Sequence, residues 1–283
     1  MTKTDLATLT VPGAVVGWTR GKSELLRTAL IEDGKPVDLE VVIFRPNGAG
    51  PFPLAMFNHG STGNGTIPLL FTETLFDVGL ADFLNERGWI VAFPQRRGRG
   101  KSGGLYDEGF SADRRQGYTC DFDTSLSGAE RALDDIAAAM AALKQRVDVA
   151  PSRVLIGGQS RGGILSIAYA GMHPDQIFGV INFVGGWMGT GCDTASRLNG
   201  TLFVRGARFD RPTLWLYGDQ DPFYYIQHSR KNFILFQNAG GQGTFLEFNM
   251  PGGHGHAVLS APELWEGPVA EYLSSLTDAA KKE

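Results

Sequence analysis

The chain has 283 residues, 42% hydrophobic and 20% charged, an ordinary globular composition that excludes a disordered, collagenous or coiled-coil protein. Lys and Arg number 26 against 30 Asp and Glu, and the net charge of -4 offers no general attraction to nucleic acid or anionic lipid. Two cysteines, Cys120 and Cys192, exclude a disulfide scaffold or a four-ligand zinc site and leave at most one bridge, so a reducing, cytoplasmic location is the simpler expectation. No apolar run reaches the ~18 residues that span a membrane, and the N-terminus, with Lys3, Asp5 and Pro12, lacks a secretion-signal pattern.

After an N-terminal extension, residues 1–22, two β-rich runs at 25–32 and 37–45 flank Asp33-Gly34-Lys35, a hairpin turn, and read as antiparallel edge strands. The pattern then alternates. Strands are predicted at 54–58, 89–93, 153–157, 178–184, 213–217 and 244–248, and helices at 75–87, 126–147, 164–172, 224–238 and 263–276. Two long irregular segments, 95–123 and 185–211, are expected as loops over a site. Strands apolar on both faces that alternate with helices imply a mostly parallel sheet covered by helices, in one domain spanning 1–283.

The chemistry concentrates at strand ends. Gly158-Gln159-Ser160-Arg161-Gly162 is a G-x-S-x-G sequence placed where a buried strand meets a helix. A serine there adopts a strained turn, the flanking glycines remove colliding side chains, and the hydroxyl stands clear of the sheet as a nucleophile. Such a hydroxyl needs a histidine to take its proton and an acid to orient that histidine. Both follow in chain order. The strand at 213–217 ends in Gly218-Asp219-Gln220-Asp221-Pro222, and the next in Gly252-Gly253-His254-Gly255-His256. Asp221 is preferred to Asp219, because the loop must leave the strand before its side chain turns to the site, although Asp221 also suits a helix N-cap. His256 precedes the apolar pair Ala257-Val258, whereas His254 sits between glycines. A His-x-His metal site lacks a third ligand and is set aside; His59, His173 and His228 read as structural.

These residues resemble the serine α/β-hydrolase superfamily, and within it the dienelactone hydrolase-like and prolyl oligopeptidase-like esterase branches. Asn58-His59-Gly60-Ser61 is similar to the turn that supplies an oxyanion amide there, and Arg97-Gly98-Arg99-Gly100-Lys101-Ser102-Gly103 to the loop after the fourth strand. Gly218-Asp219-Gln220-Asp221 resembles the acid turn and Gly255-His256-Ala257-Val258 the histidine turn, which supports Asp221 and His256. The resemblance implies the α/β-hydrolase fold with antiparallel N-terminal strands, helices on both faces and no large cap. It also implies a Ser160, Asp221 and His256 triad, with the amides of Arg161 and Ser61 as oxyanion donors and Gly60 as the neighbouring candidate. The sequence departs from dienelactone hydrolase in having serine where that enzyme has cysteine, and it lacks a propeller.

The implied activity is hydrolysis of small or medium carboxylic esters without cofactor or metal, with a small-molecule ester as partner and neither nucleic acid nor membrane. The rival readings are a peptidase or amidase and a non-catalytic binding protein. Phe110, Tyr118 and Trp187 are candidates to line an apolar pocket. Arg96, Arg97, Arg99 and Lys101 cluster in one loop; the phosphate-loop pattern fails at Gln95, and pairing with Asp107, Glu108 and Asp113 on a solvated surface is expected. The glycosylation tripeptides at Asn64 and Asn199 carry no weight.

Overall fold

A computed structural model describes residues 21–250 and 252–280. The expected N-terminal extension lies outside the described residues except for Gly21 and Lys22, which open strand β1 (Gly21–Leu26). A small hairpin of β2 (Ile31–Glu32) and β3 (Lys35–Pro36) turns at Asp33-Gly34, both at positive φ. The main sheet continues with β4 (Leu39–Phe44), β5 (Phe52–Asn58), β6 (Ile90–Pro94), β7 (Val149–Gln159), β8 (Gly179–Phe183), β9 (Thr213–Gly218) and β10 (Gly243–Phe248). Its order is β1-β4-β6-β5-β7-β8-β9-β10. β4 pairs antiparallel with β1 and β6, and the remaining pairs are parallel. The chain therefore passes from β5 outward to β6 and returns to β7 on the other side of β5. That reversal leaves a crevice at the carboxyl ends of β5 and β7, where ligands of open α/β sheets bind.

Among the described residues, six α-helices cover the sheet: α1 (Val78–Asn85), α2 (Phe122–Lys144), α3 (Arg161–Met172), α4 (Ala195–Gly206), α5 (Ile226–Asn238) and α6 (Pro262–Ala280). Local chemistry starts the first two. The Asp77 side chain accepts the Leu80 amide at 2.7 Å, and Asp121 accepts that of Thr124 at 2.8 Å. On one face Trp265 of α6 packs edge-on against Phe83 of α1 (5.1 Å) and Phe183 of β8 (5.7 Å). On the other, Trp215 of β9 meets Phe203 of α4 (4.6 Å) and Phe236 of α5 (5.1 Å). Each such fully buried large side chain contributes roughly 1.5–3 kcal/mol.

Helix α4 corrects the expectation of a loop over 185–211. Its Gly200 and Gly206 lower helix propensity, but tertiary packing overrides them. A Cβ on Gly206 would lie 2.3 Å from Ile167 Cγ2, and one on Gly171 2.0 Å from the Arg205 carbonyl, so α3 and α4 approach backbone to backbone. Leu198, Leu202 and Phe203 are fully buried and supply its periodic apolar stripe.

Candidate active site

Ser160 joins β7 to α3 at φ +56°, a strained conformation for a residue with a side chain. Its amide donates to the Phe183 carbonyl at 3.0 Å, and its own carbonyl accepts from Gly163 and Gly186. The flanking glycines are steric necessities. A Cβ on Gly162 would stand 1.9 Å from the Asn58 carbonyl oxygen, and one on Gly158 2.5 Å from the same atom. The elbow is thus pressed against the end of β5, which brings the Gly60 turn alongside: a Cβ there would lie 3.1 Å from Ser160 Cβ and 3.6 Å from Oγ. Among the described residues, the amides of Gly60, Ser61 and Arg161 donate no hydrogen bond, and Arg161 occupies the first turn of α3, whose orphan amides favour negative charge.

The loops after β9 and β10 converge on the same place. Asp221 Oδ2 stands 2.9 Å from His256 Nδ1, and Oδ1 accepts the amides of Phe223 (2.8 Å) and Tyr224 (3.0 Å). In the neutral imidazole with Nδ1 donating to this carboxylate, the lone pair lies on Nε2. Asp219 turns away and accepts the Met250 amide at 2.9 Å, tying the two loops together; His254 is exposed, whereas His256 is half-buried. The Gln159 side-chain amide donates to the His256 carbonyl at 3.0 Å, so the residue before the serine holds the histidine turn.

Ser160 Oγ lies 3.4 Å from the Tyr224 hydroxyl and makes no hydrogen bond to His256. Tyr224 donates to the Gly186 carbonyl at 2.7 Å, so the serine hydroxyl is the donor in the longer contact. Burial pushes the Tyr224 hydroxyl up to about 12, which keeps it neutral. Sequence reasoning missed this tyrosine, although it lies three residues beyond Asp221.

A buried ionic group supports the elbow from beneath. Glu108 accepts from Arg96 Nε at 2.5 Å and from Arg161 at 3.2 Å, and Arg161 also donates to the Glu108 and Trp187 carbonyls. Arg96 reaches the His59 carbonyl at 2.9 Å, while its amide donates to His59 Nε2 at 3.1 Å. His59 is therefore a neutral brace whose Nδ1 donates to the Gly60 carbonyl at 2.7 Å; burial, then Arg96 and Arg99, hold its pKa well below the usual range. The basic loop is thus not the solvated surface expected from the sequence. Arg96, Arg97 and Arg99 are buried, and Arg97 pairs with Asp135 at 2.5 Å; Lys101 alone of the four is exposed. Asp107 and Asp113 pair instead with Arg114 and Arg115. Arg99 faces the Tyr106 ring at 5.3 Å, and its guanidinium has no hydrogen-bond partner among the described residues.

The aromatic candidates encase this ionic group. Tyr118 and Trp187 lie 3.7 Å and 4.2 Å from the Arg161 guanidinium, and Phe110 packs on Tyr118 at 4.9 Å. The Trp187 indole donates to Ser125, and Asn199, fully buried, accepts the amides of Trp187 and Met188, which closes that position to glycosylation. Cys120 and Cys192, for which a reduced state was the simpler expectation, form a disulfide with 5.4 Å between Cα atoms, and so tie the segment carrying Tyr118 to the segment carrying Trp187. Among the described residues, no cluster of three or more His, Cys, Asp or Glu side chains is placed to hold a metal, and no helix is long and apolar enough to cross a membrane.

Comparison with known proteins supports the architecture. The model of the serine aminopeptidase S33 family matches residues 75–191. No curated protein matches the sequence. The esterase Est1E from Butyrivibrio proteoclasticus, solved with ferulic acid bound, superposes with a TM-score of 0.63 at 16% identity, covering 90% of this chain and 99% of that one. A Klebsiella pneumoniae protein provisionally assigned as a dienelactone hydrolase gives 0.56 at 17%, covering 88% and 97%. The acylaminoacyl peptidase of Pyrococcus horikoshii gives 0.61 at 14%, covering 91% of this chain but 42% of that one. With its mixed eight-stranded sheet, its helices on both faces and these likenesses, the chain has the α/β-hydrolase fold.

Proposed function

We propose that the protein is a serine hydrolase that cleaves small or medium carboxylic esters through an acyl-enzyme. The observation that carries this reading is the Asp221–His256 pair at 2.9 Å, beside the strained Ser160 elbow, at the sheet's switch point. Ser160 Oγ attacks the ester carbonyl while His256 Nε2 takes its proton. The oxyanion accepts from the amides of Arg161 and of Ser61 or Gly60, and each such donor is worth about 2.7–4 kcal/mol in the transition state. His256 then protonates the departing alcohol, and water, deprotonated by the same imidazole, releases the carboxylic acid.

Ester cleavage is favoured over aminopeptidase action because two acidic groups beside the elbow are engaged. Asp221 holds His256, and Glu108 holds Arg96 and Arg161, so neither is available to a substrate amine. The cysteine bridge favours an oxidising compartment over the cytoplasm.

Intact mass after fluorophosphonate treatment, with burst kinetics on 4-nitrophenyl acetate and butyrate, tests the reading. One adduct on Ser160 and a matching burst are expected, both absent in Ser160→Ala. Turnover by Ser160→Ala at the parental rate overturns it, and abolition of acylation by His254→Ala but not His256→Ala would reassign the base.

A further inference from the structure

A cavity of about 140 Å³ opens beside the elbow on the α1 side of the sheet. Its apolar walls are Phe57, Leu75, Phe76, Leu80, Phe93 and Leu259. Two further wall residues, Gly60 and Gln159, connect it to the reaction centre. Gly60 abuts Ser160, and Gln159 both precedes the serine and holds the His256 carbonyl. Leu259 lies in the same short 3-10 helix as His256 (Gly255–Ser260). The cavity therefore lies between the oxyanion turn and the histidine turn. Trp187, Tyr118 and Phe110, around the Arg161–Glu108 group, form no part of its wall.

Position decides which part of an ester belongs here. His256 must reach the leaving oxygen to protonate it, so the group on that oxygen departs on the histidine side, which is the side Leu259 lines. Size and chemistry decide what fits. A dry cavity of about 150 Å³ lined by Leu, Ile and Phe accepts benzene in another protein; here Leu and Phe side chains make the apolar part of the wall, and Asn58, His59, Asp77 and Gln159 the polar part. The one carboxylate at the wall, Asp77, already accepts the Leu80 amide and disfavours an anionic guest. We infer that the cavity is the alcohol subsite, and that it takes a neutral aryl or alicyclic alcohol part of about six or seven carbons. This assignment rests on Ser160 acting as the nucleophile, and it adds the substrate class to that reading.

Two ester series test it on the parent protein. Methyl, benzyl and cyclohexylmethyl acetate vary the alcohol with leaving groups of similar basicity, while methyl acetate, methyl phenylacetate and methyl cyclohexylacetate vary the acyl group. Raising kcat/KM by about tenfold or more from methyl to benzyl or cyclohexylmethyl acetate, with a flatter acyl series, is the expected result. Leu259→Trp and, independently, Leu75→Trp, both at half-buried positions, should shrink the benzyl-to-methyl ratio below about threefold. Binding is read separately from turnover by saturation-transfer NMR of benzyl alcohol on Ser160→Ala protein, with loss of the signal expected in Ser160→Ala/Leu259→Trp. A flat alcohol series, or selectivity residing in the acyl series, on parent protein that takes the fluorophosphonate at Ser160 overturns the subsite and leaves the serine mechanism standing. A folded parent protein that takes no adduct and cleaves no ester overturns the serine mechanism, and the alcohol subsite falls with it. The parental series stand as a test even if both tryptophan variants fail to fold.

Discussion

Arg161 and Glu108 are joined twice: the Arg161 guanidinium donates to the Glu108 carbonyl at 2.9 Å and to its carboxylate at 3.2 Å. Because Glu108 also holds Arg96, which grips the His59 carbonyl, one buried carboxylate connects the residue after Ser160 to the Gly60 turn. The two proposed sources of oxyanion amides thus share a support.

Glu108→Gln should uncouple them. Removing one partner of a buried ion pair typically costs about 3–5 kcal/mol, to be read from urea unfolding. Loss of alignment should also lower kcat more than it changes KM, since oxyanion donors act in the transition state. The pH dependence has a definite sign. Burial raises the Glu108 carboxyl, but Arg96 and Arg161 outweigh it and hold it at about 2 against an ordinary 4.5. Its contribution to stability is therefore complete above pH 4.5 and is lost as pH falls toward 2. Acid unfolding of Glu108→Gln should be correspondingly flatter over that window.

Asp221→Asn keeps the shape of the acid loop but replaces the carboxylate that receives His256 Nδ1. An amide there favours the wrong tautomer, and kcat should fall by about 10⁴. Steady-state kinetics with the burst amplitude will measure it, and a fall of under about tenfold would remove Asp221 from the proposed triad.

Gly162→Ala places a methyl 1.9 Å from the Asn58 carbonyl oxygen, with backbone on both sides and no flexible neighbour to give way. Forced overpacking of this kind costs about 1–3 kcal/mol or more, and the displaced end of β5 carries the Gly60 turn. Thermal unfolding and fluorophosphonate labelling should both suffer. Gly191→Ala, with open space around its Cβ, is the matched control and should change neither.

Reduction of the Cys120–Cys192 bridge, or replacement of both cysteines by serine, opens a link between positions 72 apart in sequence. Chain entropy sets an upper figure of about 4 kcal/mol for that loop. The melting temperature should drop, and the Tyr118 and Trp187 segments should exchange amide hydrogens faster, because the bridge ties them directly.

The sequence alone determined the hydrolase architecture, the Gly158-Gln159-Ser160-Arg161-Gly162 elbow and the order in which acid and histidine follow. Those features are legible because they are local: a tight strand-to-helix turn demands glycine at fixed offsets, and alternating apolar runs report the sheet whatever lies opposite them. Tertiary structure decided everything that depends on which loops meet. It turned 195–206 into a helix by backbone contact with α3, drew Arg96, Arg97 and Arg99 inside against Glu108, Asp135 and Tyr106, joined the two cysteines, and set Tyr224 beside Ser160. The cavity behind Gly60 belongs to this second class, since its walls come from five separate stretches of chain. Charge and aromaticity can be counted in a sequence, but whether a guanidinium is solvated or buried is set by the free energy of partners far away along the chain.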